Sequence, residues 1–338
     1  MRQLLDDLLA GADLSSAAAD QLLVTLTGGD VDPAMAGALL TALRAKGETP
    51  DEVRGFASAM RRLSSDPGID ASGAVDVVGT GGDRSGSLNL STGAALLTAA
   101  IGVPVVKHGN RSMTSQSGSA DILEAIGLPI PLDAEQARRC FESIGFTYLF
   151  APHYHPAMAA VGPIRRSLGV RTVFNMLGPL TNPAGPRHLV VGAFDARAAE
   201  LMAGALSGLE IDRAFVLHGA AGWDEPSPIG EFLLYDVRPG SVVRSSRDPR
   251  DLGMARCDPA ALAGGDPSHN ANQLGAVFAG ENGPHRDSIV LGAALALEVT
   301  GTALDAPTAV QMATAALDDG RAMTLLQGLR EFGEGERA

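Results

Sequence analysis

The sequence predicts an α/β fold in which a small all-helical N-terminal domain precedes a larger α/β domain with a central, mainly parallel sheet flanked by helices. Two observations support this fold class. Apolar residues recur at helical spacing from residue 1 to about 66. From Ala74 onwards, short β-branched runs alternate with helical segments. With 338 residues, 45% of them hydrophobic, the chain is long enough for both domains.

Two helices of the N-terminal region have recognisable ends. Asp32 and Thr49 each stand directly before a proline, which places a capping residue ahead of a proline at the first helical position. Glu52 lies three residues after Thr49, the spacing of a capping box. Gly47 supplies a C-terminal stop for the earlier helix. We therefore expect two helices that meet near residue 48.

The α/β region contains six strand candidates and several helix candidates. The strands are predicted at 75–78, 103–106, 146–150, 189–194, 214–217 and 232–237. The helices are predicted at 91–100, 120–126, 134–144, 155–168, 196–207, 288–299 and 308–317. Strands that alternate with helices in this way indicate a mainly parallel sheet.

The charge and cysteine content exclude several classes of function. Lys and Arg total 26 against 39 Asp and Glu, a net charge of −13, which disfavours nucleic acid and anionic membranes as partners. Cys140 and Cys257 have no metal-type spacing and do not suggest a disulfide framework. Asp6 and Asp7 interrupt the first apolar run, which argues against a signal peptide. No apolar run reaches transmembrane length, so we expect a cytoplasmic protein.

A glycine-rich loop follows the first predicted strand. The run 79–83 reads Gly-Thr-Gly-Gly-Asp, and Gly86 follows, so the backbone can bend sharply and approach a ligand. A dinucleotide fingerprint would need a glycine where Arg84 stands, and no Gly-Lys-Ser/Thr of a P-loop follows. An ordinary strand-to-helix turn is the alternative. Hydroxyl and amide side chains before the next helix favour phosphate binding at the helix N-terminus; they are Ser87, Asn89, Ser91 and Thr92.

A second polar loop, residues 107–119, follows the next strand. Lys107 and Arg111 supply positive charge, and Gly109 and Gly118 allow tight turns. The neutral donors of the loop are Asn110, Ser112, Thr114, Ser115, Ser117 and Ser119. A solvated polar loop is the alternative, but its position after a buried strand and beside another anion loop favours phosphate.

Three further features carry candidate chemistry. Asp224 and Glu225 are usually a solvated pair, but opposite a diphosphate they are oxygen ligands suited to Mg²⁺. Arg165 and Arg166 follow a His-Tyr-His-Pro segment, and a guanidinium there can hold a carboxylate bidentately, unless both simply face solvent. The Pro-rich apolar run 174–183 either lines an aromatic pocket or connects domains.

Taken together, these residues resemble the anthranilate phosphoribosyltransferase family over nearly the whole chain. The motifs that carry the resemblance are GTGGD at 79–83, NLST at 89–92, KHGNRS at 107–112, SGSADILEA at 117–125, FNMLGPLTNP at 174–183 and the pair Asp224-Glu225. The resemblance implies a nucleoside-phosphorylase-like fold. Its helical domain would span residues 1–70, with a helical contribution from about 155–185, and its α/β domain residues 71–338.

The resemblance also implies the reaction and its participants. The family joins anthranilate to phosphoribosyl pyrophosphate (PRPP) and releases pyrophosphate. Each subunit would use two Mg²⁺ ions, and the protein would be a homodimer that binds neither nucleic acid nor a membrane.

Site residues are carried over by motif alone. Those implied for PRPP are Gly79, Gly82, Asp83, Ser87, Asn89, Leu90, Ser91, Thr92, Lys107, His108, Gly109, Asn110, Arg111, Ser112, Met113, Thr114, Ser115 and Ser119. Those implied for anthranilate are Gly79, Asn110, His155, Arg165 and Pro179, with His108 also along the channel. Ser91 would ligate one Mg²⁺, and Asp224 with Glu225 the other. Asn110, Arg165 and His108 would act by positioning.

The chain departs from the common family pattern at four positions. Trp223 and Pro226 flank the acidic pair, Gln116 stands where lysine is frequent, and Gly292 stands where asparagine is frequent. These departures bear on loop motion, metal affinity and acceptor preference, and not on the reaction class.

Alternative functions remain open at this point. A nucleoside phosphorylase of the same fold would need neither the acidic pair nor this form of the second loop. A non-catalytic nucleic-acid-binding relative would need a basic face, which a net charge of −13 does not suggest. A dehydrogenase is disfavoured by the broken fingerprint. Another aromatic amine could also replace anthranilate as the acceptor.

Overall fold

Seven strands form a single sheet in the computed structural model, which describes residues 1–112 and 116–337. The strands are β1 (Val75–Gly79), β2 (Val105–Gly109), β3 (Phe146–Phe150), β4 (His188–Gly192), β5 (Arg213–His218), β6 (Phe232–Arg238) and β7 (Ser241–Arg247). Their order across the sheet is β3-β2-β1-β4-β5-β6-β7. The first five are parallel, whereas β6 and β7 are antiparallel to their neighbours. The predicted mainly parallel sheet is confirmed.

Fifteen α-helices surround the sheet within the described ranges. The first eight are α1 (Arg2–Leu9), α2 (Ser16–Thr27), α3 (Pro33–Lys46), α4 (Pro50–Arg62), α5 (Leu90–Ala100), α6 (Ser119–Ile126), α7 (Ala134–Ile144) and α8 (Ala151–Tyr154). The others are α9 (Met158–Leu168), α10 (Phe174–Leu177), α11 (Ala196–Leu206), α12 (Pro267–Phe278), α13 (Pro284–Val299), α14 (Ala306–Asp318) and α15 (Arg321–Arg337). Across these residues, none of the helices combines the length and apolar character that a membrane crossing requires.

The helix ends confirm the capping predictions. The Asp32 carboxylate accepts from the backbone amides of the first turn of α3, and Gly47 ends that helix with a φ of 89°. Thr49 and Glu52 form the reciprocal capping box at the start of α4. These caps give α3 and α4 the bounds that the sequence predicts.

The helix predicted at 155–168 was wrong in its first turn, because α9 begins at Met158. His155 adopts φ −120° and ψ 66°, outside the helical region. Proline disfavours helical geometry in the residue that precedes it, and Pro156 follows His155 directly. His155 therefore lies in the turn between α8 and α9.

Two hydrophobic clusters cover the two faces of the sheet. Side chains alternate along each strand, so that Val77 and Val190 belong to one cluster while Val78 and Val191 belong to the other. The second cluster includes buried residues of α2, α3 and α4, and α9 packs against α2 and α3. The N-terminal helices and α9 thus pack together on one side of the sheet.

The strand order creates a crevice at the carboxyl ends of β1 and β4. These neighbouring parallel strands pair up to Gly79 and Gly192. From β1 the chain crosses to β2 on one side, whereas from β4 it crosses to β5 on the other. Ligands of open α/β sheets bind at such a switch point, because the two connections diverge and leave space between them.

Candidate functional site

The loop after β1 is strongly bent at its tip. Gly81, Gly82 and Gly86 have φ values of 66°, 72° and 62°, and Arg84 has a φ of 61°. Glycine adopts this left-handed region without penalty, whereas arginine does so at a cost. The predicted need for glycine at this bend is confirmed for Gly81, Gly82 and Gly86.

The acidic pair lies against this loop and against the start of α5. The Gly81 amide donates to Oδ2 of Asp224 at 2.6 Å, and the Thr80 hydroxyl donates to the same atom at 3.3 Å. The Ser91 amide donates to Oε1 of Glu225 at 3.0 Å. Asp224 is only 8% exposed and Glu225 is half-buried, so the pair is not an ordinary solvated charge pair. The two carboxylates thus accept hydrogen bonds from backbone amides of the kind that bind phosphate.

A tight turn after β5 holds the acidic pair in place. The Gly219 amide donates to the Trp223 carbonyl at 2.8 Å, and Ala221 has a φ of 59°. Trp223 and Pro226 are both buried. These two departures from the family pattern therefore anchor the turn on either side of Asp224 and Glu225.

Burial shifts the pKa values of the charged groups around Asp224 and Glu225. It raises the pKa of Asp224 and of Glu225 above the usual carboxyl range; the charge of Asp83 adds to this effect at Asp224, and that of Asp224 adds to it at Glu225. Lys107 is 2% exposed, donates to a β1 carbonyl and interacts electrostatically with Asp76, Glu225 and Asp224. Burial also raises the pKa of Asp76 to about 6. Four acids and Lys107 thus lie together in a largely buried site, and the excess of acids favours an added cation.

Asn89 joins the first loop to the second and to α12. Its Nδ2 donates to the Ser117 carbonyl at 3.1 Å, and its Oδ1 accepts from the Ser117 hydroxyl at 3.1 Å and from Nδ2 of Asn270 at 2.9 Å. Asn270 was missed from the sequence, because no pattern had predicted α12. Leu90 and Thr92 are buried behind Asn89.

The second loop is braced by α6. Arg111 forms ion pairs with Asp121, at 2.9 Å, and with Glu124, so its guanidinium is already engaged on this helix. The Ser119 hydroxyl donates to the Asn110 carbonyl at 3.2 Å. The predicted PRPP residues Met113, Thr114 and Ser115 lie outside the described residues.

The residues expected along an anthranilate channel form a second group at the end of β2. The rings of His108 and His155 are 5.1 Å apart between centroids, and Nδ1 of His108 lies 3.1 Å from the Gly178 carbonyl. Pro179 follows Gly178 and is buried. Burial lowers the pKa of His108 to about 3 and that of His155 to about 4, so both rings are neutral at pH 7.

Arg165 lies on α9 beside the same segment. Its guanidinium carbon is 5.2 Å from the centroid of the Phe174 ring, and Phe174 begins the short helix that leads to Gly178. Burial lowers the pKa of Arg165, which makes no ion pair with any described residue. Arg166 is exposed. Of the two arginines, Arg165 is therefore the one placed to receive a carboxylate.

The remaining two departures from the family pattern differ in their surroundings. Gly292 on α13 faces α5, where an added Cβ would lie 2.7 Å from that of Ala94. Close packing of these two helices explains why a glycine stands at this position. Gln116 is exposed beside the second loop.

Comparison with known proteins shows the family of this chain. The glycosyl transferase family α/β domain matches residues 71–323, and the helical bundle domain of the same family matches residues 2–64. Anthranilate phosphoribosyltransferase of Desulforudis audaxviator is 46% identical over 335 residues, covering 99% of this chain and 96% of the relative. The enzyme of Chloroflexus aggregans is 43% identical, with 99% of each chain covered. The chain belongs to the anthranilate phosphoribosyltransferase family.

Solved structures of the family have the same fold. The Thermus thermophilus enzyme superimposes with a TM-score of 0.91 at 39% identity, covering 98% of this chain and 99% of the other. The Saccharomyces cerevisiae enzyme in complex with PRPP and Mg has a TM-score of 0.86 at 25% identity, covering 98% and 97%. The predicted combination of a helical domain with a larger α/β domain is thereby confirmed.

Proposed function

We propose that this chain transfers the phosphoribosyl group of PRPP to the amine of anthranilate, giving N-(5-phosphoribosyl)anthranilate and pyrophosphate. This is the second step of tryptophan synthesis from chorismate. The observation that carries the proposal is the part-buried contact of Asp224 and Glu225 with the amides of Gly81 and Ser91. A metal-bound diphosphate suits such a site, because the cation matches the carboxylates and the phosphates match the amides.

PRPP would lie across the glycine loop and the N-terminus of α5. The first amides of a helix have no partner within it, and the helix dipole favours negative charge there. Here the amides of Gly81 and Ser91 are held by Asp224 and Glu225. PRPP phosphates would therefore compete with the two carboxylates for these donors.

The acidic pair fits a divalent cation. Burial disfavours two charged carboxylates beside Asp83, and a cation would relieve that cost. No three His, Cys, Asp or Glu side chains of the described ranges form a complete metal site, so substrate oxygens would supply the other ligands. We place one Mg²⁺ at Ser91 and another at Asp224 and Glu225. Bound Mg²⁺ would neutralise charge on the diphosphate.

The chain itself would act by charge stabilisation and positioning. Cleavage of the bond between C1 and the diphosphate builds negative charge on the leaving group, and the Lys107 ammonium and the loop amides stabilise that charge. The amine of anthranilate is an aryl amine and is unprotonated at neutral pH, so no strong general base is needed. The neutral His108 and His155 agree with a positioning role.

Anthranilate would bind between the ends of β1 and β2 and the 155–180 segment. Arg165 would hold its carboxylate through the fork of the guanidinium. Gly79, Asn110, His155 and Pro179 would border the ring. We also propose that the protein is a cytoplasmic homodimer that acts on these two small molecules.

Turnover can be followed by the fluorescence of anthranilate when PRPP and Mg²⁺ are added to the protein. The expected result is a fluorescence change that requires all three components, with N-(5-phosphoribosyl)anthranilate identified by mass spectrometry. PRPP binding in calorimetry without turnover would refute anthranilate as the acceptor. Absence of both binding and turnover would refute the transferase itself.

A further inference from the structure

Arg171 connects three parts of the site, although no sequence motif had assigned it a role. It lies between α9 and α10, and its Nη2 donates to the carbonyl oxygen of Gly82. Its guanidinium carbon is 4.0 Å from the centroid of the Phe194 ring. Phe194 is 9% exposed and stands two residues after the end of β4. Arg171 thus links the segment behind Arg165 to both sides of the switch point.

The Gly82 carbonyl belongs to a peptide whose direction needs an external constraint. Gly81 and Gly82 both have positive φ, and glycine backbones rotate with little steric resistance. The carbonyl and amide of a trans peptide point in opposite directions, so fixing the Gly82 oxygen also fixes the direction of the Asp83 amide. Arg171 therefore determines which way a donor of the anion-binding loop points.

The other side-chain contacts of the Gly81–Asp83 segment run through acids. Asp224 accepts from the Gly81 amide, and the Asp224 amide donates to Asp83 at 3.3 Å. Those contacts must change if Asp224 turns to a cation. Among the described residues, the bond from Arg171 is the side-chain contact to the Gly81–Gly82 segment that involves no acid.

Phe194 sets the plane of the guanidinium. An arginine stacked on an aromatic ring keeps its donors in a fixed plane, which a lysine ammonium does not reproduce. Because Phe194 is buried, the ring itself has little freedom to move. The stacked pair aims Nη2 at the Gly82 oxygen.

We propose that Arg171 is a positioning residue for the diphosphate substrate: stacked on Phe194, it orients the Gly82–Asp83 peptide of the loop that binds PRPP. This inference rests on the proposed function. Because Arg171 acts on the PRPP loop, its loss weakens PRPP binding and leaves anthranilate binding nearly unchanged.

The test compares Arg171→Gln, Arg171→Lys, Phe194→Leu and the Arg171→Gln/Phe194→Leu pair, with the exposed Arg166→Gln as control. Calorimetry gives the PRPP Kd, and kinetics gives kcat and both KM values. We expect Arg171→Gln to raise the PRPP Kd and KM about tenfold and the anthranilate KM less than about twofold, in keeping with one charged hydrogen bond. The PRPP Kd and KM of Arg171→Lys should lie between those of Arg171→Gln and of the native protein. In the double variant, the rise in the PRPP Kd is smaller than the product of the two single rises, because the two side chains act as a unit.

Three results would overturn the inference. The first is an unchanged PRPP Kd in folded Arg171→Gln and Arg171→Lys. The second is an equal rise in the PRPP KM and the anthranilate KM. The third is a PRPP Kd in the double variant that rises by the product of the two single effects. PRPP binding without turnover would refute only anthranilate as acceptor, since the Kd ratios still test Arg171. Failure of the native protein to bind PRPP would overturn both proposals.

Discussion

The carboxylate of Asp224 fills the space that a side chain on Gly79 would need. A Cβ atom added to Gly79 would lie 2.5 Å from Oδ2 of Asp224, well inside the closest contact that real Cβ atoms make. Gly192, the β4 partner of Gly79, is equally constrained, since its Cβ would lie 1.7 Å from the Asp224 carbonyl oxygen. The two glycines at the switch point thus make room for the acidic pair.

Gly79→Ala should displace the Asp224 carboxylate with little effect on the backbone, because the φ of Gly79 is not in the left-handed region. We expect kcat/KM for PRPP to fall by about tenfold or more, equivalent to at least ~1.4 kcal/mol of lost transition-state stabilisation. The Mg²⁺ concentration for half-maximal rate should rise in parallel. Gly275→Ala is the matched control, since nothing lies within 4 Å of its added Cβ. Native kinetics in Gly79→Ala would contradict the placement of Asp224.

Arg165→Gln should separate the two substrates in kinetic measurements. The guanidinium has no acidic partner among the described residues, so its loss leaves no buried acid unpaired. A hydrogen bond to a charged group contributes about 1.5–3 kcal/mol, so the anthranilate KM should rise at least ~tenfold. The PRPP KM should change much less. Arg166→Gln controls for the loss of charge, and equal effects on both KM values would remove Arg165 from this role.

The buried histidines should contribute a loss of stability in acid to the ligand-free protein, opposite in sign to the contribution of Asp76, Asp224 and Glu225, whose pKa values burial raises. An unfolded imidazole titrates near pH ~6.5, whereas the pKa of folded His108 is about 3 and that of His155 about 4. As the pH falls below 6.5, the unfolded chain binds more protons than the folded chain. The contribution of each histidine to the free energy of unfolding should therefore fall by up to ~1.4 kcal/mol per pH unit.

His155→Gln removes one of these titrations. In urea unfolding between pH 7.5 and 4.5, the free energy of unfolding of the native chain should fall relative to that of this variant, with His269→Gln as an exposed control. Parallel curves for the native chain and His155→Gln would show that His155 is not held neutral by burial.

The sequence predicted most of the sheet because its inner strands are apolar and are separated by amphipathic helices. β7 was missed because Ser241–Arg247 is largely exposed and carries serine and arginine in place of an apolar alternation. α12 was missed for a related reason, because its first half is mainly polar. α15 was missed although its buried Ala322, Leu325, Leu326 and Leu329 recur at helical spacing. Periodicity detects an element only where burial imposes one.

The site was predictable in its residue types and less so in its contacts. Both loops follow strand ends, and that placement could be read from the sequence. The contact of Asp224 with Gly81 joins residues 143 positions apart, so no local pattern indicates it. Arg111 illustrates the same limit, since a loop arginine suggests phosphate but here it pairs with Asp121 and Glu124 on α6. Arg171 had no sequence signal, because its role depends on stacking against Phe194.

The central claim is that the acidic pair holds the metal that PRPP binding requires. Its most direct test is the rate of anthranilate fluorescence change with PRPP and Mg²⁺, compared between the native chain, Asp224→Asn/Glu225→Gln, and native chain with EDTA. Asp30→Asn/Glu281→Gln is the matched control, because it removes one aspartate and one glutamate charge from exposed positions. We predict that EDTA and the first double variant each abolish nearly all turnover while the control retains it. Full turnover in Asp224→Asn/Glu225→Gln would contradict the account.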